Sequence, residues 1–305
     1  MAKPLESIIG QPLAVDLCRQ WLAKETTHPL LFYGPEGTGK RTLALEVAKV
    51  LNGSTHKIDA GQHPDVRVID LPWQALERKE DLAKQQTLRI ETILTERRRL
   101  LQSVVEGSWK VSIIDGAHRL TPDAANVLLK VLEEPPARTA IFLMTPFRDR
   151  LFPTLVSRCQ PVRFRPLTDD EMRQILGRKG IPEESHMKLI ELALGSPGRA
   201  LHMNREEHIQ AVQEAEALWQ TIPGQRPMEL IRALEGRGRT ARPTRTDIEQ
   251  RISALLVPAV RELRGGQPDA GRSVQLLQSA LTQLRQNVQP GLVFENLLLQ
   301  LSRRP

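Results

Sequence analysis

The chain has 305 residues, 40% hydrophobic and 26% charged, enough for two or three packed cores and a soluble, folded surface. Its net charge of +7 suits an acidic partner such as nucleic acid, although so small an excess over this length is more often a solvated surface. Two cysteines, Cys18 and Cys159, cannot form a zinc site between them and make a disulfide framework a poor reading. No apolar run reaches membrane-spanning length, and the first residues lack the apolar core of a signal peptide, so a cytoplasmic protein with no membrane partner is expected.

Leu13, Leu17, Trp21 and Leu22 recur at helical spacing and predict a helix over 13–24. Pro29 then introduces Leu30-Leu31-Phe32-Tyr33, a run of the length and type of a buried parallel strand. Directly after it stands Gly34-Pro35-Glu36-Gly37-Thr38-Gly39-Lys40, and a helix opens at Thr42-Leu43-Ala44. Strand, Gly-rich turn and helix are the context of a P-loop, whose backbone N–H groups wrap phosphates at a helix N-terminus. The candidate phosphate-contacting residues are Gly34, Gly37, Thr38, Gly39 and Lys40, the last through its ammonium. A P-loop ends in Ser or Thr, whose hydroxyl helps hold Mg²⁺. Here that position is Arg41, which has no acceptor and repels a metal ion. Thr42 is the next hydroxyl, turned roughly 100° around the helix. A phosphate-shaped pocket follows; whether ATP, ADP or nothing occupies it stays open.

Val66–Leu71, Val111–Ile114, Ala140–Met144 and Val162–Phe164 read as further strands of one sheet, separated by helical stretches that include 88–105 and 123–134. This alternation argues for an α/β fold with a parallel sheet. Asp115 ends one of these strands, where an acid either approaches Mg²⁺ through water or simply caps the next turn. Gly116 after it offers no carboxylate to polarise a water, and His118 reads as an ordinary helix-start residue. The pattern changes near Pro166: helices are expected over 169–178, 185–194, 205–219, 247–264, 273–286 and 291–302. Three domains follow, an α/β domain over 1–166, a small helical domain over 167–205 and a helical domain over 206–305.

The run from Asp115 through Asn126 and Lys130 to Pro136 resembles bacterial DNA polymerase III clamp-loader subunits of the AAA+ family. Ser157-Arg158-Cys159 looks like the Ser-Arg-Cys motif of that family, and Ile8-Ile9-Gly10-Gln11 like its adenine-side segment. Gly195-Ser196-Pro197-Gly198-Arg199-Ala200-Leu201 is similar to its second sensor; Gln62-His63-Pro64-Asp65 and Asn287-Val288-Gln289-Pro290 fit as well. The motifs span nearly the whole chain in the family's order.

The resemblance implies an AAA+ P-loop domain, a helical lid and an all-α collar that oligomerises. Motor subunits of the family keep the P-loop Ser or Thr and a catalytic Glu after the strand-end Asp. Arg41 and Gly116 replace both here, as in the stator-like delta-prime branch, so little or no intrinsic ATPase is expected. The resemblance further implies that Arg158 reaches in trans to the nucleotide of an adjacent motor subunit. There an inserted arginine raises the rate by about 10³–10⁵; on the residues alone Arg158 reads as a surface salt bridge. Thr145 and Arg199 stand at the two sensor positions and join Asp115 as candidate nucleotide contacts. The implied partners are the motor subunits and the delta subunit, with the sliding clamp and primer-template DNA engaged through the complex.

Many relatives carry four zinc-binding cysteines after the P-loop helix; residues 52–62 hold none, so no zinc is expected. Thr87, Arg89 and Thr121 near helix starts, Glu96-Arg97-Arg98-Arg99, and the loop arginines Arg237, Arg239, Arg242 and Arg245 are either DNA contacts or solvated surface. Two rival functions stay in view: an active ATP-hydrolysing motor subunit, and an ATP-independent DNA-binding protein of AAA+ shape.

Overall fold

In the computed structural model of the chain, residues 5–53, 55–82, 85–203, 206–222, 245–285 and 288–302 are described. They fall into two compact units: one runs to Glu183 and takes back Leu194–Arg199, and the other holds Glu184–Ala193 and the chain from Ala200 onward.

The first unit is built on five strands, β1 (Leu30–Tyr33), β2 (Val66–Ile69), β3 (Lys110–Asp115), β4 (Thr139–Thr145) and β5 (Gln160–Arg163). They lie in the order β2-β3-β4-β1-β5, and every neighbouring pair is parallel. The helices in this part of the chain are α1 (Pro12–Ala23), α2 (Lys40–Asn52), α3 (Thr55–Asp59), α4 (Leu71–Arg78), α5 (Ile90–Leu100), α6 (Pro122–Glu133), α7 (Pro153–Val156) and α8 (Asp169–Arg178).

Successive side chains of a strand point to opposite faces, and the strands obey this on both sides of the sheet. Leu30, Phe32, Val111, Ile113, Ala140, Phe142 and Met144 join Val15, Cys18, Trp21, Leu43 and Val47 of α1 and α2 in one core. Leu31, Ile114, Ile141 and Leu143 join Ile93, Leu100, Leu128 and Leu132 of α5 and α6 in the other. A sheet covered on both faces explains why its strands read as continuous apolar runs. Phe32 and Phe142 stack across β1 and β4 with ring centroids 5.6 Å apart, and Trp21 meets Phe142 edge-on at 5.8 Å.

The helix expected over 88–105 is shorter, because its last residues have another partner. Asp65, fully out of solvent just before β2, accepts backbone N–H bonds from Val105, Glu106 and Gly107 at 2.8–3.0 Å. Those donors hold the chain in a turn around the carboxylate. Lys110 completes the cage with an ammonium 3.1 Å from the same group.

The remaining helices are α9 (Glu183–Ala193), α10 (Pro197–Met203), α11 (Glu206–Thr221), α12 (Arg245–Arg264), α13 (Ala270–Arg285) and α14 (Pro290–Leu301). In the second unit Leu277, Ala280, Leu281 and Leu284 of α13 are buried, together with Leu255 and Val260 of α12 and Phe294, Leu298 and Leu301 of α14. Trp219 of α11 donates its indole N–H to Glu262 at 2.7 Å, and Arg261 bridges Glu191 and Glu216 at 2.7 and 3.1 Å. No described helix is long and apolar enough to cross a membrane. Arg237, Arg239 and Arg242 of the Gly/Pro/Arg-rich loop lie outside the described residues.

Candidate functional site

The parallel sheet brings the C-terminal ends of β1, β3 and β4 together, and β1 runs straight into Gly34–Lys40. At Gly34 the backbone has φ 135°, and a Cβ there would stand 2.2 Å from the Phe164 carbonyl oxygen. Only glycine lets the chain just past β5 come so close. Gly37 has φ 72°, and its missing Cβ leaves room for the hydroxyl of Ser196 and the backbone of Gly198. Thr38 is buried and closes the turn by donating its hydroxyl to the Pro35 carbonyl at 2.8 Å. Gln11 braces the loop from outside: its amide nitrogen donates to the Thr38 and Arg165 carbonyls at 3.3 and 2.6 Å. Its amide oxygen accepts the Arg165 N–H at 3.0 Å.

Lys40 opens α2 and is only 8% exposed. Its ammonium folds back onto the loop and donates to the Gly34 and Pro35 carbonyls at 2.7 and 2.6 Å. Burial pushes its pKa down to about 8, against the opposing pull of Asp115 and Glu36. Loop, helix N-terminus and ammonium form a cradle whose chemistry fits phosphate oxygens.

The position of the missing hydroxyl is filled by charge. Arg41 places one guanidinium nitrogen 2.8 Å from Asp70 and 3.7 Å from Asp115. Asp70 follows β2, caps α4 by accepting the Trp73 N–H at 2.8 Å, and comes beside Asp115 because Ile69 pairs with Ile114. No sequence motif marks Asp70; its signal is an acid that follows a strand beside the Asp115 strand, legible only once the strand order is known. Burial raises the Asp115 pKa, Arg41 opposes that shift, and Asp70 adds to it. The two carboxylates are suited to a hydrated divalent ion, but the guanidinium already stands between them. A magnesium ion does not fit this arrangement without displacing Arg41. Thr42, the next residue, is exposed to solvent.

Thr145 ends β4 opposite Tyr33 and is buried. Its hydroxyl and the Phe147 backbone exchange bonds at 3.0 Å, and the His118 ring nitrogen lies 3.3 Å away. Gly116 follows Asp115 with φ 87° and no side chain to offer. Arg199 comes close to the loop through its backbone. The Ser196 hydroxyl donates to the Glu36 carbonyl at 2.9 Å, the Gly198 N–H donates to the Gly37 carbonyl at 2.9 Å, and the Arg199 N–H donates to Ser196 at 3.2 Å. Thus Gly34, Gly37, Thr38, Gly39, Lys40, Asp115 and the segment of Arg199 converge.

Arg158 lies at a separate place on the first unit, just beyond α7. Its Nε is 2.6 Å from Glu133 at the end of α6, and one terminal nitrogen donates to the Thr154 carbonyl at 3.0 Å. The pair is partly exposed, at 35% and 48%. Such a pair is worth about 0.2–1 kcal/mol, so little holds Arg158 to Glu133 against a stronger anion. Cys159 is buried and its thiol is pushed up to about 12 by burial, as suits a packing residue.

The basic stretch on α5 divides by burial. Arg99 is buried, chelating Glu96 and donating to the Val111 carbonyl at 2.9 Å, whereas Arg98 is exposed. Arg99 is therefore a strut between α5 and β3. The start of α5 is capped internally: the Arg89 N–H donates to the buried amide oxygen of Gln74 at 2.9 Å. Thr121 caps α6 by accepting the Ala124 N–H at 3.3 Å.

The family described as DNA polymerase III, delta subunit matches residues 10–168, and the cyanobacterial DNA polymerase III delta prime, C-terminal domain matches residues 170–301. DNA polymerase III subunit delta' of Bacillus subtilis is 32% identical over 170 residues, covering 52% of this chain and 48% of that protein. The Escherichia coli subunit delta' is 32% identical over 222 residues, covering 68% and 64%. The chain thus spans between about half and two thirds of these curated relatives. A DNA polymerase III gamma subunit-related protein from Thermotoga maritima shares the fold, with a TM-score of 0.61 at 21% identity over 95% of this chain and 99% of its own. The first family model covers more than half of the sequence and the second takes up most of the rest, so the chain belongs to the delta and delta-prime family of DNA polymerase III subunits.

Proposed function

We propose that the chain is the delta-prime-like subunit of a bacterial replicative clamp loader, a cytoplasmic stator with little or no ATPase of its own. In this reading it donates Arg158 to the nucleotide of a neighbouring motor subunit while a sliding clamp is loaded onto primed DNA. The observation that carries it is the state of the chain's own catalytic constellation. Arg41 is ion-paired with Asp70 and Asp115 where a metal-binding hydroxyl is needed, and Gly116 leaves the water-polarising position without a carboxylate. Hydrolysis in cis then lacks both its metal and its base.

Arg158 supports the second half of the reading. It is a partly exposed guanidinium held by a surface pair with Glu133 and a bond to the Thr154 carbonyl, and a planar fork of donors matches the oxygens of a transferring phosphoryl group. Phosphate binding at Gly34–Lys40 belongs to the same proposal, as a static site rather than an engine.

The test is reconstitution with the motor and delta subunits of the same organism. Arg158→Ala should leave assembly intact and lower the clamp- and DNA-stimulated ATPase of the complex by a large factor, on the order of 10-fold or more for the one active site affected. The purified chain alone should show no turnover above background. Robust hydrolysis by the isolated chain favours the motor reading; unchanged ATPase with Arg158→Ala removes the trans arginine.

A further inference from the structure

The cradle at Gly34–Lys40 and the ion triad Arg41–Asp70–Asp115 share one helix start, and together they define a cation requirement that differs from that of an ordinary P-loop. On one side stand the N-terminus of α2 and the Lys40 ammonium, which rests on the Gly34 and Pro35 carbonyls. From the next residue, Arg41 delivers a fixed positive charge to the strand-end carboxylates, 2.8 Å from Asp70 and 3.7 Å from Asp115. A guanidinium stays protonated at any working pH. It is also bound at short range by an acid whose own position is fixed, since Asp70 simultaneously caps α4.

A divalent ion entering here would meet two adverse conditions. Both Asp70 oxygens are already engaged, by Arg41 and by the Trp73 N–H, and a like charge sits 3.7 Å from Asp115. Conversely, a nucleotide arriving without metal meets the N-terminus of α2 and Lys40, with the Arg41 guanidinium as the cation on the next residue.

We propose that the guanidinium of Arg41 is a built-in cation that takes the place of Mg²⁺ at this loop, so that the loop binds a nucleoside di- or triphosphate free of divalent metal. The inference rests on the phosphate-site reading of Gly34–Lys40 given above. It goes further by assigning the ligand's metal state and a role for Asp70. Mg²⁺ then competes with the site for free nucleotide and does not assist binding.

The test titrates ADP and ATP into the full chain by calorimetry, once with excess Mg²⁺ and once with excess EDTA, and compares wild type with Arg41→Thr and Arg41→Lys. Wild type and Arg41→Lys should bind no more tightly with Mg²⁺ than with EDTA, and ATP more weakly, since Mg²⁺ withdraws the free nucleotide, whereas Arg41→Thr should bind about tenfold or more tighter with Mg²⁺. With Mn²⁺ as a paramagnetic probe in the presence of ADP, Arg41→Thr should show protein-bound metal and wild type none. Wild-type binding that Mg²⁺ tightens about tenfold overturns the inference while leaving the phosphate site standing. Arg41→Thr that stays metal-independent overturns it as well, since Arg41 is then not what excludes the ion. No binding of either nucleotide by wild type in either buffer removes the phosphate site itself and the inference with it.

Discussion

Asp65 is the most deeply buried acid in the described first unit, and its surroundings decide its charge. Burial alone would raise its pKa, but the N–H groups of Gly107, Glu106 and Val105 and the ammonium of Lys110 hold the carboxyl well below the usual carboxylate range. A carboxyl depressed on folding stabilises the native state above its unfolded pKa of about 3.9, and this contribution is lost as pH falls through that value toward the folded one. Asp65→Asn should therefore lower stability near neutral pH by about 3–5 kcal/mol, since it leaves Lys110 buried without a counter-charge. The deficit relative to wild type should shrink below about pH 4, as read by urea unfolding against pH. Lys40 makes a different, functional prediction. With its pKa lowered to about 8, the ammonium begins to lose its proton just above neutrality, and an anion binds the protonated form. Nucleotide affinity should fall as pH rises from about 7 to about 9, and Lys40→Ala should flatten the profile as well as weaken binding, both measurable by titration.

At the level of elements, the phosphate loop is held by backbone contacts as much as by its own turn. Ser196 and Gly198, from the segment that opens α10, bond the carbonyls of Glu36 and Gly37. That packing is why Gly37 has no tolerance for a side chain: a Cβ would lie 2.3 Å from the Ser196 hydroxyl, on a backbone at φ 72°. Gly37→Ala should destabilise the first unit by about 1–3 kcal/mol through backbone strain and the forced withdrawal of Ser196, and a thermal melt should show it. The helix α5 teaches the same lesson from the other side. Leu101, Val104 and Val105 continue an apolar sequence pattern, yet α5 stops at Leu100 and the Val105 N–H turns to Asp65. A buried carboxylate needing donors outweighs a weak local preference for one more helical turn.

For the molecule as a whole, the alternation of apolar runs with helical stretches already implied a parallel α/β unit followed by helices. The apolar runs beginning at Leu30, Val66, Val111, Ala140 and Val162 each contribute to a strand of the sheet. The resemblance carried by Asp115–Pro136 and Ser157-Arg158-Cys159 leads to the same family that the comparisons show. These features are local: strand period, turn glycines and short motifs are written in consecutive residues, so the sequence by itself determined fold class, family and the loss of the hydroxyl and carboxylate at positions 41 and 116. It could not order the strands, because parallel strands buried on both faces look alike. It could not, therefore, bring Asp70 beside Asp115, pair Arg158 with Glu133, or separate buried Arg99 from exposed Arg98. Only the tertiary structure decided those pairings, since a charge's partner depends on which chain segments meet in space. It turned Arg41 from a missing ligand into a cation with two carboxylates of its own.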